Sequence, residues 1–105
     1  MNYYRLKKQA DFQKLFHSGK RAFTPDLTVI YKPAKSTYMG VSVGKRHGKA
    51  VQRNRIKRLL REAFRLTRDK MQGNYQIVFV PKVRETYSFQ AYEKQILCMI
   101  KREKL

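Results

Sequence analysis

The chain has 105 residues, enough for one domain, and its 42% hydrophobic content can supply one core. Its 25 Lys and Arg stand against 7 Asp and Glu, a formal net charge of +18; repulsion on that scale makes a polyanion the natural partner, nucleic acid before an anionic membrane, because each neutralised phosphate releases counterions. The lone cysteine, Cys98, excludes an internal disulfide and a Cys-x-x-Cys zinc pair, and no window holds the roughly 18 apolar residues of a membrane span.

The start, Tyr3-Tyr4-Arg5-Leu6-Lys7-Lys8, lacks the apolar run of a secretory leader, so a reducing cytoplasm is the expected location. Residues Gln9 to Ser18 carry Phe12, Leu15 and Phe16 at i, i+3 and i+4, the stripe of a short helix, with Gly19 placed to stop it. A short strand is expected near Phe23. Residues Leu27 to Lys32 form a strand with Leu27, Val29 and Tyr31 on one face, ended by Pro33. After a turn at Lys35-Ser36-Thr37, residues Tyr38 to Val43 alternate as a second strand through Met39, Val41 and Val43. So short a connection predicts that these two strands pair antiparallel.

The longest helical pattern runs from Ala50 to about Lys70, with Ile56, Leu59, Leu60, Ala63 and Phe64 as its apolar stripe. Gly73-Asn74 signals a loop. Tyr75 to Val80 is a strand whose run Ile77-Val78-Phe79-Val80 predicts burial on both faces. Phe89 to Lys104 is a last helix with Phe89, Tyr92, Ile96 and Ile100 on one side and Ser88 as its cap. The order α-β-β-(β)-α-β-α, with a strand on each side of the long helix, describes one two-layer α+β domain over residues 1–105 with a mixed sheet.

One segment has no ordinary structural reason. Residues 45–61 hold eight Lys or Arg and no acid, yet they carry the apolar stripe of a helix and so are not a disordered tail. Taken from Asn54, residues Lys57, Arg58, Arg61 and Arg65 lie at i+3, i+4, i+7 and i+11 on one face, flanked by Arg53 and Arg55. Like charges at that spacing destabilise an isolated helix by a few tenths of a kcal/mol per pair. They also crowd the positive end of the helix dipole. A phosphate backbone along this face reverses both penalties, and Arg can grip it bidentately. A merely solvated face mixes signs, and this one does not. A DNA-reading helix is the sharper rival, but strand signals rather than a helix-turn-helix spacing precede it.

No reaction chemistry is legible. The acids Asp11, Asp26, Glu62, Asp69, Glu85, Glu93 and Glu103 are scattered and form no metal-binding pattern. His17 and His47 are far apart and have no evident carboxylate to orient them. Both are expected at the surface or against RNA. Cys98 is expected to be a small, partly buried residue of the last helix.

The run from Val41 to Phe64, centred on Arg53-Asn54-Arg55, resembles the signature of the bacterial ribonuclease P protein family, and residues 8–16, Lys-Gln-Ala-Asp-Phe-Gln-Lys-Leu-Phe, are similar to that family's first helix. The resemblance covers nearly the whole chain. It implies a left-handed βαβ crossover, against the general right-handed rule, as in a domain of a small-subunit ribosomal protein. It implies the protein subunit of a ribozyme that removes the 5′ leader of precursor tRNA. In that enzyme the RNA performs the hydrolysis with Mg2+ held mainly by RNA and substrate. The implied partners are the catalytic RNA and precursor tRNA, with no membrane and no obligate protein partner.

The resemblance assigns Lys45, Arg46, Lys49, Arg53, Asn54, Arg55, Lys57, Arg58 and Arg61 to the catalytic RNA. It assigns Phe12, Phe16, Tyr31 and Lys82 to a cleft for the leader, between the first helix and the sheet. Gly44 departs from the family, many members of which carry a polar or basic residue there. The competing reading is a stand-alone RNA module, ribosomal-protein-like or an RNA chaperone. Such a module needs no leader cleft, so the Arg-Asn-Arg run together with an aromatic first helix favours the ribozyme subunit.

Overall fold

Strand β5 (Tyr75–Pro81), the most apolar stretch of the chain, occupies the centre of the sheet in the computed structural model, which describes residues 2–105. The other elements are β1 (Tyr4–Arg5), α1 (Gln9–Ser18), β2 (Lys20–Phe23), β3 (Leu27–Pro33), β4 (Tyr38–Val41), α2 (Ala50–Thr67) and α3 (Phe89–Glu103). A 3-10 turn at Lys45–His47 precedes α2, and another at Arg68–Lys70 extends it. The strand order is β1-β4-β5-β3-β2, with β5 parallel to β4 and antiparallel to β3.

The expected antiparallel pair between β3 and β4 does not form, because β5 lies between them. The connection after β3 is stitched to the start of β5 instead: the Ala34 N–H donates to the Asn74 carbonyl at 3.0 Å, and the Tyr75 N–H donates to Thr37 Oγ1 at 3.3 Å. A strand buried on both faces gains most at the centre, and Ile77, Val78 and Phe79 are fully buried there. The strand–helix–strand unit β4-α2-β5 therefore joins adjacent parallel strands, as the sequence order implies.

The two faces of the sheet bury different helices. Leu27, Val29, Tyr31, Met39, Ile77 and Phe79 pack with Ile56, Leu60 and Phe64 of α2 and Tyr92, Ile96 and Met99 of α3. This is the main two-layer core. On the opposite face Ile30 and Val78 pack with Leu6 and Leu15, and Phe12 and Phe16 lie against them. Helix α1 begins next to the β1 edge and ends next to the β2 edge, so it crosses the strands.

Two glycines permit this closeness. A Cβ at Gly40 would stand 2.6 Å from the Phe12 ring, and one at Gly19 would stand 2.7 Å from the Leu15 carbonyl oxygen. Gly19 thus stops α1 by close approach rather than by a left-handed backbone. Ser88 caps α3 as expected, its Oγ accepting from the Ala91 N–H at 3.2 Å. Cys98 is exposed, not partly buried, on the outer side of α3.

Candidate nucleic-acid interface

Helix α2 places its charges by simple periodicity. Ile56, Leu60, Ala63 and Phe64 are buried, which turns Asn54, Arg55 and Arg58 outward into solvent. Lys57 and Arg61 are half-buried at the margin of that face. Arg53 turns further toward the body of the protein; its Nε is buried and has no partner among the described residues. The one local acid, Glu62, is paired with Arg65. Arg55, Arg58 and Arg61 therefore have no carboxylate partner among the described residues.

Burial lowers the pKa of the Arg61 guanidinium, and the nearby Arg5 charge lowers it further. Tyr3 reinforces the site from the N-terminal segment, its hydroxyl donating to the Arg61 carbonyl at 3.4 Å. Arg5 thus adds to the same positive field from a different part of the chain. Sequence periodicity on α2 alone gave no sign of it.

The approach to α2 is equally basic. Lys45, Arg46 and Lys49 are exposed, in and after the 3-10 turn. Gly48 follows that turn with φ +105, a left-handed backbone that suits glycine and lets the chain reverse into α2. No side chain caps the N-terminus of α2, and its first turn holds no acid. The first-turn N–H groups and the positive end of the dipole therefore point outward beside Lys49.

The turn also faces the sheet. The His47 ring stands at 2.8 Å from the Pro81 carbonyl through Nε2, at the end of β5. A hollow of about 360 Å³ opens here, walled by Thr28, Ser42 and Val80 of the sheet, by Arg46 and His47 of the turn, and by Lys82. Gly44 also borders it, and a Cβ there would meet nothing within 4 Å. The departure from the family pattern therefore leaves open space, not strain.

Lys82 is held in place from two sides. Its N–H donates to the Asp26 carbonyl at 2.8 Å and its ammonium to the Thr24 carbonyl at 3.0 Å. The loop under it is braced in turn by Gln95 of α3, which accepts from Thr24 Oγ1 at 2.7 Å and donates to Asp26 at 2.8 Å. Arg84 closes the network on Asp26 at 2.8 Å.

The expected leader residues are only partly brought together. Phe12 and Phe16 lie half-exposed on the α1 side of the sheet, and Val80 next to Lys82 packs with the same cluster. Tyr31 does not join them. It is 5% exposed on the other face, its ring against Tyr75 and its hydroxyl donating to Glu103 of α3 at 2.9 Å. Burial and that bond push its phenol up to about 12. The floor of the α1 side is instead Ile30 and Val78, each one residue out of step with Tyr31 and Ile77. His17 is exposed. Among the described residues no three His, Cys, Asp or Glu side chains cluster as metal ligands.

Sequence and fold both have known relatives. The family model described as Ribonuclease P matches residues 1–104. The ribonuclease P protein component of Clostridioides difficile is 40% identical over 101 residues, covering 92% of this chain and 89% of that protein. That of Clostridium kluyveri is 42% identical over 87 residues, covering 78% of this chain and 77% of that protein. The RNase P protein of Staphylococcus aureus superposes with a TM-score of 0.82 at 28% identity, covering 96% of this chain and 95% of that one. The RNase P protein from Thermotoga maritima gives 0.83 at 28% identity, with 93% and 96% covered.

Proposed function

Since this chain belongs to the ribonuclease P protein family, we propose that it binds the catalytic RNA through α2 and its basic approach and holds the 5′ leader of precursor tRNA beside α1. The observation that carries this reading is continuity. The cations of α2 without an acid partner among the described residues continue through Lys49 and Lys45 to Arg46, which borders the hollow at Val80 and Lys82. One RNA surface can therefore occupy the helix while a single strand leaves it along the sheet.

In this reading Arg55 and Arg58 contact phosphates outright, Arg53, Lys57 and Arg61 reach them from the margin, and Asn54 meets a base edge or 2′-hydroxyl. Phe12 and Phe16 offer ring faces to leader bases, with Lys82 as the nearby cation. The protein supplies binding and charge neutralisation. The RNA and substrate hold the magnesium and perform the phosphodiester hydrolysis, in the cytoplasm.

The test is reconstitution. The purified protein is added to its RNA subunit, and precursor tRNA cleavage is followed at low magnesium. The protein should raise cleavage strongly, because its cations substitute for part of the screening otherwise supplied by salt. Rigorously RNA-free protein should release no leader. Site-specific release by the protein alone overturns the division of labour. A general RNA chaperone would bind the RNAs without preferring precursor over mature tRNA.

A further inference from the structure

The α1 side of the sheet has a second open strip, on the other flank of α1 from Lys82. Pairing register sets Lys32, Gln76, Tyr38 and Tyr4 side by side across β3, β5, β4 and β1. They lie two residues from Ile30, Val78 and Gly40, the row that α1 covers, and so point to the same side. The Tyr4 and Tyr38 rings are 5.4 Å apart and inclined by 33°, close to an offset stack. Tyr38 leans on the α1 cluster, whereas Tyr4 is 62% exposed. Neither phenol makes a hydrogen bond among the described residues. Beside them is a depression of about 380 Å³ bordered by Arg5, Lys7, Lys8 and Asp11 together with Tyr38 and Gln76.

The fold does not need this arrangement. Strand β1 is two residues long and lies at the sheet edge, and Tyr4 covers little of the core. An aromatic ring held flat at its inner side and open at its outer side, among cations, suits a base of a single strand. Lys7, Lys8 and Lys32 against the single acid Asp11 favour a polyanion over an apolar protein partner, while Arg5, one residue out of step with Tyr4, turns its charge to the α2 side. Val80 and Gln76 are four positions apart on β5, about 13 Å along the strand, and Tyr4 lies two strands further across, about 10 Å, so the straight step is about 16 Å. A strand leaving the Lys82 hollow can cover that distance by passing the start of α1, where Lys7 and Lys8 stand.

We propose that Tyr4, backed by Tyr38, is a stacking platform for a leader base upstream of those at the Lys82 hollow. The proposal rests on the leader reading above and extends it to longer leaders. The experiment measures holoenzyme affinity for mature tRNA and for precursors with leaders of about 2, 5 and 10 nucleotides, chosen to bracket that ~16 Å step. The proteins compared are the natural one, Tyr4→Ala, Tyr4→Leu, which keeps bulk without an aromatic face, and Tyr4→Phe.

Tyr4→Ala and Tyr4→Leu should weaken the longest-leader precursor by about five- to a hundredfold, the worth of one base on one ring. They should leave mature tRNA and the shortest leader unchanged, and Tyr4→Phe should bind like the natural protein. No loss at any length, or an equal loss for every substrate, overturns the platform; the second result would assign Tyr4 to the RNA subunit. A natural protein that fails to prefer precursor over mature tRNA overturns the leader reading itself, which is a separate outcome.

Discussion

His47 Nε2 and the Pro81 carbonyl oxygen stand 2.8 Å apart, and this bond ties the turn that carries Lys45 and Arg46 to the strand end that carries Lys82. A carbonyl can only accept, so Nε2 carries the proton. The other ring nitrogen, Nδ1, is buried without a partner among the described residues. His47→Ala should loosen the turn against β5 and weaken precursor binding by about 1 kcal/mol, the usual net worth of one such bond. His47→Gln, with an amide N–H at similar reach, should restore most of it. Equal weakening by both variants in a precursor titration would deny the bond its positioning role.

Arg58 is the cleanest probe of the α2 face, because it is exposed and has no acid partner among the described residues. Arg58→Ala should weaken binding to the RNA subunit by about 1.5–3 kcal/mol, the range for hydrogen bonds to charged groups. The salt dependence of binding should become shallower by roughly one unit of slope. Thermal melting of the free protein should not fall, since a like-charge contact is removed. Arg61→Ala should weaken RNA binding too, but with some loss of free-protein stability, because its side chain is half-buried. Normal binding by both variants across a salt titration would remove this face from the interface.

Phe16 tests the leader side. Phe16→Ala should cost about 1–3 kcal/mol in affinity for precursor tRNA, the worth of a stacked base, and leave mature tRNA unaffected. Phe16 is half-exposed, so its removal should destabilise the fold by less than the ~3–5 kcal/mol of a fully buried Phe. Circular dichroism melting separates the two effects. A folded variant that loses both substrates equally counts against the cleft.

Tyr31 should behave as a core residue. Tyr31→Phe should leave precursor affinity unchanged, because its ring faces α3 and not α1. Below pH 10 the phenol is protonated whether the chain is folded or not. Between its ordinary value of 10.0 and about 12, an unfolded Tyr31 gives up its proton while the folded one keeps it. Folding stability should therefore fall with rising pH through that window, by on the order of 2 kcal/mol from this group. Tyr31→Phe should flatten the decline in urea melts taken from pH 9 to 12. An identical slope in both proteins would show that the phenol is not held by burial and Glu103.

Periodicity alone located nearly every element, because each helix and long strand buries one well-marked stripe. The bounds of α1 agree with the reading of Gln9 to Ser18 to the residue. What the pattern could not supply was partnership. Alternation correctly grouped Leu27, Val29 and Tyr31, but it does not say which helix covers that group, and the family resemblance set Tyr31 against the wrong one. The pairing of β3 with β4 failed for the same reason: a short connection argues for neighbours, while the apolar weight of β5, far along the chain, claims the place between them. Strand β1 went unread because two residues carry no period. The charges of α2 were legible because an acid-free basic run over residues 45–61 is rare, whereas the His47–Pro81 bond spans 34 residues and leaves no local trace.

The central place of β5 also dictates an order of events at the ribosome. Strands β3 and β4 are synthesised first, yet each takes its main sheet partner from residues 75–81. Until those residues emerge, the sheet lacks the strand that joins its two halves. Helix α2 is complete by Thr67 and has no finished sheet to lie on. Its arginines are thus presented to passing RNA on a chain that has not closed. The nascent protein, with most of its length already made, is a sticky polycation without a core. Closure waits on β5 and then on α3, whose Tyr92, Ile96 and Met99 complete the same core.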